Sequence, residues 1–173
     1  ENWLATNELN WQLINKTNGG LSSARNAGIQ ACKTQLLALL DSDDQYAPTF
    51  IEKALNAFKL VPDLTLFFAN QRVVNEDGKK LFDWLENKAV KDLKTSCLAD
   101  NLFLLEEPIL PSLVFGNYIS CSASVFNTQD IIRGGGYDEK VKAGEDTEFL
   151  MRLLDNKKSA FTYEELAVVL RRS

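Results

Sequence analysis

The sequence predicts an α/β domain in which helices flank a mixed, mainly parallel sheet. Strand-like apolar runs alternate with helix-like segments along most of the chain, and this alternation is typical of parallel sheets. The length of 173 residues suits a single domain. Apolar residues make up 45% and charged residues 25% of the chain, which disfavours a disordered chain or a disulfide-dense miniprotein.

The first predicted elements are a strand, a turn and a helix. Residues 11–14 carry apolar side chains and predict a strand, which the polar and Gly-containing stretch 15–20 ends. Ser22 or Ser23 can cap the helix that follows. Small and apolar side chains recur on this helix, so that one face can lie close against a sheet: Ala24, Ala27, Ile29 and Ala31.

A second strand and helix come next. The apolar run 36–40 has polar residues on both sides, and its length and sharp boundaries favour a strand that is buried on both faces. Thr49 and Glu52 have the spacing of a capping box. The helix that they begin should end near Pro62, because proline cannot continue it.

The remaining elements are less evenly signalled. Residues 64–74 have strand composition, and a turn at 75–78 returns the chain into a short strand. Residues 83–108 are predicted to form one or two amphipathic helices. Residues 118–126 predict another strand. The chain then passes a Gly-rich break before a final helix and a last strand, at about 146–154 and 160–170.

Charge and residue usage exclude several function classes. The net charge is −5 from 19 basic and 24 acidic residues, which argues against nucleic acid as a partner. The chain has no histidine, so imidazole catalysis and His-ligated zinc are excluded. Three cysteines without a C-x-x-C pair predict a reducing, cytoplasmic setting. No apolar run approaches the length of a membrane span, so no transmembrane segment is predicted.

The first acidic cluster is Asp41-Ser42-Asp43-Asp44, directly after the second predicted strand. In open α/β sheets, ligands bind beyond the carboxyl ends of the strands. Clustered carboxylates suit a hard cation such as Mg²⁺ or Mn²⁺, which a substrate diphosphate can share. An ordinary exposed loop before a helix explains the same residues equally well.

The second acidic cluster is Glu145-Asp146, at the start of the final helix. A carboxylate in this position can act as a general base toward a hydroxyl group. Taken alone, such a carboxylate is more often a structural helix cap, and the i,i+4 pair of Glu148 and Arg152 supports this structural interpretation. The role of Arg25 has two interpretations in the same way: it is either a solvated surface charge or a cation directed at an anionic ligand.

Four ordered motifs give a more specific indication. They are NGGLSSARNAGI at 18–29, LLDSDD at 39–44, GGYDE at 135–139 and GEDTEF at 144–149. In order and separation they resemble the family-two glycosyltransferases of the GT-A fold. An Arg-Leu pair at 152–153 and a late Leu-Arg-Arg at 170–172 extend the resemblance.

The resemblance implies one partial, Rossmann-like GT-A domain over residues 1–173, with the nucleotide-sugar side in 1–79 and the acceptor side and catalytic base in 80–173. Asp41 and Asp43 match the family's Asp-x-Asp motif. There the second aspartate ligates Mg²⁺ or Mn²⁺, and the first lies near the ribose or a metal-bound water. Asn18 and Arg25 match positions that line the nucleotide side of the cleft.

On the acceptor side, Asp146 of the Glu145-Asp146 pair matches the catalytic base of the inverting enzymes. The implied donor is a nucleotide diphosphate sugar, with a UDP-sugar preferred, and the acceptor is a saccharide or a lipid-linked hydroxyl compound. By analogy, such an enzyme serves cell-surface polysaccharide synthesis, in the cytoplasm or in peripheral contact with the inner face of the membrane.

The sequence departs from the family at its front. A Pro-x-Tyr-Asn-like strand and a strand that ends in Asp-Asp-Gly-Ser have no match here, and residues 1–10 resemble the middle of the family's second helix. We therefore expect a GT-A domain that lacks roughly one βαβ unit at its N-terminus, and a chain that is a fragment of a longer protein.

Two function classes remain open from the sequence. The first is an inverting, metal-dependent glycosyltransferase, and the alternative is a non-catalytic module that binds sugar nucleotides or glycans. Aromatic side chains in the least family-like stretch can stack on sugar rings or belong to the core. They are Phe82, Trp84, Phe103, Phe115 and Tyr118.

Overall fold

A computed structural model describes residues 11–86 and 88–171. The expectation for residues 1–10 and the resemblance at Arg172 lie outside the described residues. The helices are α1 (Leu21–Ala31), α2 (Phe50–Leu60), α3 (Leu110–Leu113), α4 (Thr128–Arg133) and α5 (Glu145–Leu153). The strands are β1 (Leu36–Ala38), β2 (Gln45–Tyr46), β3 (Leu64–Val74), β4 (Lys80–Asp83), β5 (Thr95–Ala99), β6 (Leu102–Leu105), β7 (Ser124–Asn127) and β8 (Lys158–Leu170). Short 3₁₀ turns occupy Ala89–Asp92 and Cys121–Ala123.

The eight strands of the described chain form one mixed sheet. Six of them run in the order β1-β7-β3-β8-β6-β5, while β2 pairs with β8 and β4 with β3. The two longest strands, β3 and β8, are parallel neighbours at its centre. The predicted α/β class, with helices packed on a mixed sheet, is confirmed.

The prediction of a mainly parallel sheet is wrong for the described residues. The β3–β8 pair is parallel, and the other pairs are antiparallel. The cause is local connection, because β3–β4 and β5–β6 are hairpins, whose adjacent strands must run in opposite directions. Strand β7 also enters the sheet antiparallel to both of its neighbours.

Strand β1 forms where the sequence predicts, but it is not buried on both faces. Within the described residues it pairs with β7 alone, and Ala38, whose side chain points to the face opposite that of Leu37, is exposed. Leu37 is buried, whereas Leu40, just beyond the strand, is 47% exposed.

Two further predictions are wrong. Residues 11–14 are an exposed stretch without strand pairing to the described residues. In place of the helices expected within 83–108, the chain forms the β5–β6 hairpin. Asn101, in its turn, has the left-handed backbone that such tight turns require.

Apolar side chains pack on both faces of the sheet. Successive residues of β3 point to opposite faces, so Leu66 and Phe68 join one cluster while Phe67 and Ala69 join the other. The first cluster includes residues of α1, α4 and α5, and the second includes the buried side of α2. Of the helices in the described ranges, none combines the length and the hydropathy needed to cross a bilayer.

An ion-pair network ties three strands together at the surface. Glu165 on β8 accepts hydrogen bonds from Lys80 Nζ of β4 and Arg72 Nε of β3, each at 2.7 Å. These two cations lower the pKa of Glu165 from 4.5 to about 2. The carboxylate therefore keeps its charge well below the pH at which an ordinary glutamate is protonated.

Candidate active site

Helix α1 turns a charged side chain toward the protein interior. Its buried positions are Ser22, Ser23, Arg25 and Ile29. The predicted face of small residues is therefore only partly correct, since Ala24 is exposed. Arg25 itself is 8% exposed. A guanidinium at this depth needs acidic partners, because burying an unpaired charge is very costly.

Arg25 finds those partners in both acidic clusters. Its Nη1 lies 2.5 Å from Oδ1 of Asp146, at the start of α5. Its Nη2 lies 3.3 Å from both carboxylate oxygens of Asp41, after β1. Burial alone would lower the pKa of Arg25, but the surrounding groups, including the carboxylates of Asp146 and Asp41, raise it above its ordinary value. One cation thus joins two acidic groups that lie 105 residues apart in sequence, at positions 41 and 146.

Two buried side chains, Cys121 and Tyr137, contact this ion pair. Cys121 Sγ lies 3.2 Å from Asp146 Oδ1, and Tyr137 Oη lies 2.9 Å from Cys121 Sγ. The guanidinium carbon of Arg25 is 5.3 Å from the centre of the Tyr137 ring, within the range of a cation–π contact. The sequence motif contained Tyr137 without indicating this role, and nothing in the sequence pointed to Cys121.

The loop that carries Tyr137 is fixed from both sides. Asn26 Nδ2 donates to Tyr137 O at 2.9 Å, and Tyr137 N donates to Asn26 Oδ1 at 2.8 Å. From α5, Arg152 donates to Gly136 O at 2.7 Å and also to Gly134 O. Gly136 has a left-handed φ of 67°, and a Cβ there would lie 2.6 Å from Asn26 Oδ1. Sequence reasoning missed Asn26, although it directly follows Arg25.

The pair of Glu148 and Arg152 that favoured a structural interpretation of α5 is present. Arg152 nevertheless reaches beyond that pair to the carbonyls of the Gly-rich loop. The ion pair therefore helps to hold the Tyr137 loop beside α5. A structural role for Arg152 and a chemical role for Asp146 are compatible on the same helix.

The other aspartates of the first cluster face different surroundings. Asp44 Oδ1 accepts from Leu170 N at 3.3 Å, and burial raises the pKa of Asp44. Asp43 is exposed and lines a cavity of about 310 Å³ together with Arg72 and Val168. Ser122 Oγ accepts from Asp41 N at 3.2 Å, which anchors the beginning of the loop.

No group of three or more acidic, cysteine or histidine side chains within the described ranges is arranged to hold a metal ion. Asp41 and Asp43 therefore provide two carboxylates at most. Their exposure fits Mg²⁺ or Mn²⁺, because these cations commonly take one or two protein carboxylates and complete their shell with phosphate oxygens and water.

Asn18 and Glu145 lie near the N-terminal end of α1. The Asn18 side chain accepts a hydrogen bond from Gly20 N at 3.0 Å, within its own exposed loop. Glu145 lines a second cavity of about 310 Å³ with Gly19, Gly20 and Lys142. The structure thus brings Arg25, Asp41 and Asp146 into direct contact, whereas Asn18, Glu145 and Asp43 lie on adjoining surfaces.

The aromatic candidates divide between core and surface. Tyr118 is buried, and Phe103 packs on Phe161, with ring centres 5.5 Å apart. Phe82 and Trp84 stack on each other at 6.3 Å. Phe115 is 90% exposed, so of the five it is the side chain most available to a ligand.

Comparisons with known proteins agree with this architecture. A family model described as glycosyltransferase like family 2 matches residues 3–169. The pre-mycofactocin glycosyltransferase of two Mycobacterium tuberculosis strains is 31% identical over 142 residues, which make up 82% of this chain and 28% of that protein. The present chain therefore spans less than a third of that relative's length.

Solved structures show a common fold. The crystal structure of S. aureus TarS 1–349 in complex with UDP-GlcNAc matches with a TM-score of 0.67 and 15% identity, covering 92% of this chain and 41% of that one. A second crystal structure of TarS 1–349 matches with a TM-score of 0.63 and 14% identity, covering 90% and 42%. At this identity the match supports the fold alone.

Proposed function

The chain belongs to glycosyltransferase-like family 2, and from that membership we propose that it transfers a sugar from a nucleotide diphosphate sugar to a hydroxyl acceptor, with inversion at the anomeric carbon and dependence on Mg²⁺ or Mn²⁺. The observation that supports this most directly is the double ion pair of Arg25 with Asp41 and Asp146. A donor-side carboxylate and a candidate base therefore share one site, as a transfer between two substrates requires.

Residues 1–79 hold the donor in this proposal. S. aureus TarS 1–349 was crystallised with UDP-GlcNAc, which supports a UDP-sugar as donor. Asp43 and Asp41 would hold the cation together with the diphosphate, and the cation would offset the negative charge that develops on the leaving group. Arg25 adds a fixed positive charge beside Asp41, and Asn18 lies on the loop before α1.

Residues 80–173 supply the acceptor side and the base. The Asp146 side chain is 31% exposed and paired with Arg25, so its carboxylate is held in place and open to a ligand. It takes the proton from the acceptor hydroxyl as that oxygen bonds to the anomeric carbon, while the bond from this carbon to the diphosphate oxygen breaks. Glu145 precedes it on α5 and contributes a second negative charge.

The acceptor class follows by analogy within the family. We propose a saccharide or lipid-linked acceptor in cell-surface polysaccharide synthesis. The cytoplasmic setting remains a prediction from the cysteine pattern, and peripheral contact with the membrane remains a prediction that follows from a lipid-linked acceptor.

The test is release of nucleoside diphosphate from a panel of nucleotide sugars, with Mn²⁺ or with EDTA. We expect Asp146→Asn to lower turnover about a thousandfold and Asp43→Ala on the order of a hundredfold. Asp155→Asn changes an exposed aspartate whose hydrogen bond is to the neighbouring Asn156, and it should leave turnover unchanged. Undiminished turnover in both site variants would refute the assigned roles.

Calorimetry separates the alternative, a non-catalytic binding module. Metal-dependent binding of a nucleotide sugar without turnover, across the whole acceptor and donor panel, would favour that module. A prior screen for thermal stabilisation by each nucleotide sugar selects the donors, since a ligand that binds only the folded state raises its stability by mass action.

A further inference from the structure

We propose that Cys121 is a positioning residue for the base: its thiol holds Asp146 so that Oδ1 faces the protein and Oδ2 faces the acceptor. This inference rests on the proposed function, because it assigns a task to Cys121 only if Asp146 accepts a proton. Cys121 is otherwise a buried thiol, 3% exposed, for which the reaction has no direct use.

The geometry begins with the 3₁₀ turn Cys121–Ala123, which leads into β7. Ala123 N donates to Ser120 O at 3.1 Å, so the turn closes on itself. Its first residue contacts Asp146 through Sγ, and its second, Ser122, accepts from Asp41 N. One short, buried turn therefore touches both acidic clusters.

The direction of the hydrogen-bond chain follows from protonation. Burial raises the pKa of the Cys121 thiol and of the Tyr137 phenol, so both groups keep their protons at neutral pH. An ionised carboxylate only accepts. The Cys121 S–H therefore donates to Asp146 Oδ1, and the Tyr137 O–H donates to the Cys121 sulfur.

Both described donors to Asp146, the Cys121 thiol and Arg25 Nη1, end on the same oxygen, Oδ1. Two donors on one oxygen restrict rotation of the carboxylate about its last torsion, which is otherwise soft. Oδ2 is then the oxygen that meets the incoming hydroxyl. Loss of the thiol should loosen this orientation without removing any group that binds the donor.

The experiment compares steady-state kinetics of Cys121→Ala, Cys121→Ser and Tyr137→Phe in the intact protein. Cys121→Ala should lower kcat about tenfold, as expected for a lost hydrogen bond to a charged group, and leave the donor KM and the calorimetric donor Kd unchanged. Cys121→Ser keeps a donor and should recover most of kcat. Cys97→Ala is the matched control, because Cys97 is exposed on β5, and it should match wild type.

Thermal melting identifies variants that fail to fold. If Cys121→Ala does not fold, Tyr137→Phe provides a second test. This variant keeps the ring but removes the hydroxyl that donates to Cys121 Sγ, and it should still lower kcat with KM unchanged. A wild-type kcat in the folded cysteine variant, beside an inactive Asp146→Asn, would overturn this inference alone. A parallel loss of kcat and donor affinity, unrelieved by serine, would also overturn it. Turnover retained by Asp146→Asn would overturn the proposed function and this inference with it.

Discussion

Replacing Gly136 with alanine tests how the Tyr137 loop is held. The residue has a φ of 67°, and the new Cβ would lie 2.6 Å from Asn26 Oδ1. The left-handed backbone costs an alanine about 1 kcal/mol. Asn26 must also move, which breaks its two hydrogen bonds with the Tyr137 backbone, at about 1 kcal/mol each. We expect the free energy of unfolding to fall by about 3 kcal/mol.

Gly78→Ala provides the matched control. Gly78 has a similar φ of 76°, but no heavy atom lies within 4 Å of the site where its Cβ would be. This variant should show the backbone cost alone, about 1 kcal/mol. Urea denaturation of both proteins, fitted with a common slope, gives the comparison.

A double-mutant cycle isolates the clash itself. In an Asn26→Ala background the side chain that collides with Cβ is absent, so Gly136→Ala should cost no more than Gly78→Ala. The coupling between positions 26 and 136 should then be about 2 kcal/mol. Equal losses for Gly136→Ala and Gly78→Ala in the wild-type background would refute the reasoning, because the close approach to Asn26 would carry no energy.

Three further predictions concern charge and packing. The pKa of Glu165 lies below its ordinary value, so the stability difference between wild type and Glu165→Gln should be fully present above pH 4.5 and disappear as the pH falls toward 2, measured by urea denaturation across that range. Phe161→Ala should lower the free energy of unfolding by about 3–5 kcal/mol because the ring is fully buried, whereas Phe115→Ser should change it by less than about 0.5 kcal/mol; similar losses would contradict the burial. Arg25→Met should lower the free energy of unfolding by about 2 kcal/mol. This is less than the loss of a fully buried ion pair would cost, because both carboxylates are partly exposed and solvent screens them. Adding Asp146→Asn should restore part of that loss, and an additive double mutant would contradict the ion pair.

The elements that were predicted best from the sequence are those whose boundaries are marked by neighbouring proline or turn residues. Strand β3 occupies the expected 64–74, since Pro62 precedes it and the turn at 75–78 follows. Helix α2 also forms as expected, although Thr49 makes no side-chain cap bond. The β5–β6 hairpin was missed because its strands have five and four residues, too few to distinguish helical from strand periodicity. Its stability depends on β8, which lies more than 50 residues further along.

The two aspartates of the candidate site were predictable from the sequence, but the side chains that connect them were not. Asp41 and Asp146 stand at the ends of recognisable elements, and their positions after a strand and at a helix start identified them. Arg25 was left open between a surface charge and a ligand contact, because its role depends on a partner 121 residues away. The environment of Cys121 likewise depends on the packing of the folded chain, so its sequence neighbours gave no signal.

The spacing of the Arg25 contacts affects the order in which the protein can mature during synthesis. The arginine leaves the ribosome long before its second partner, which follows 121 residues later, and chain growth at about 5–20 residues per second makes that interval several seconds. Until then the guanidinium has only Asp41 nearby, and burying it would be unfavourable. Helix α1 should therefore dock late, after the segment that carries Asp146 has emerged from the ribosome.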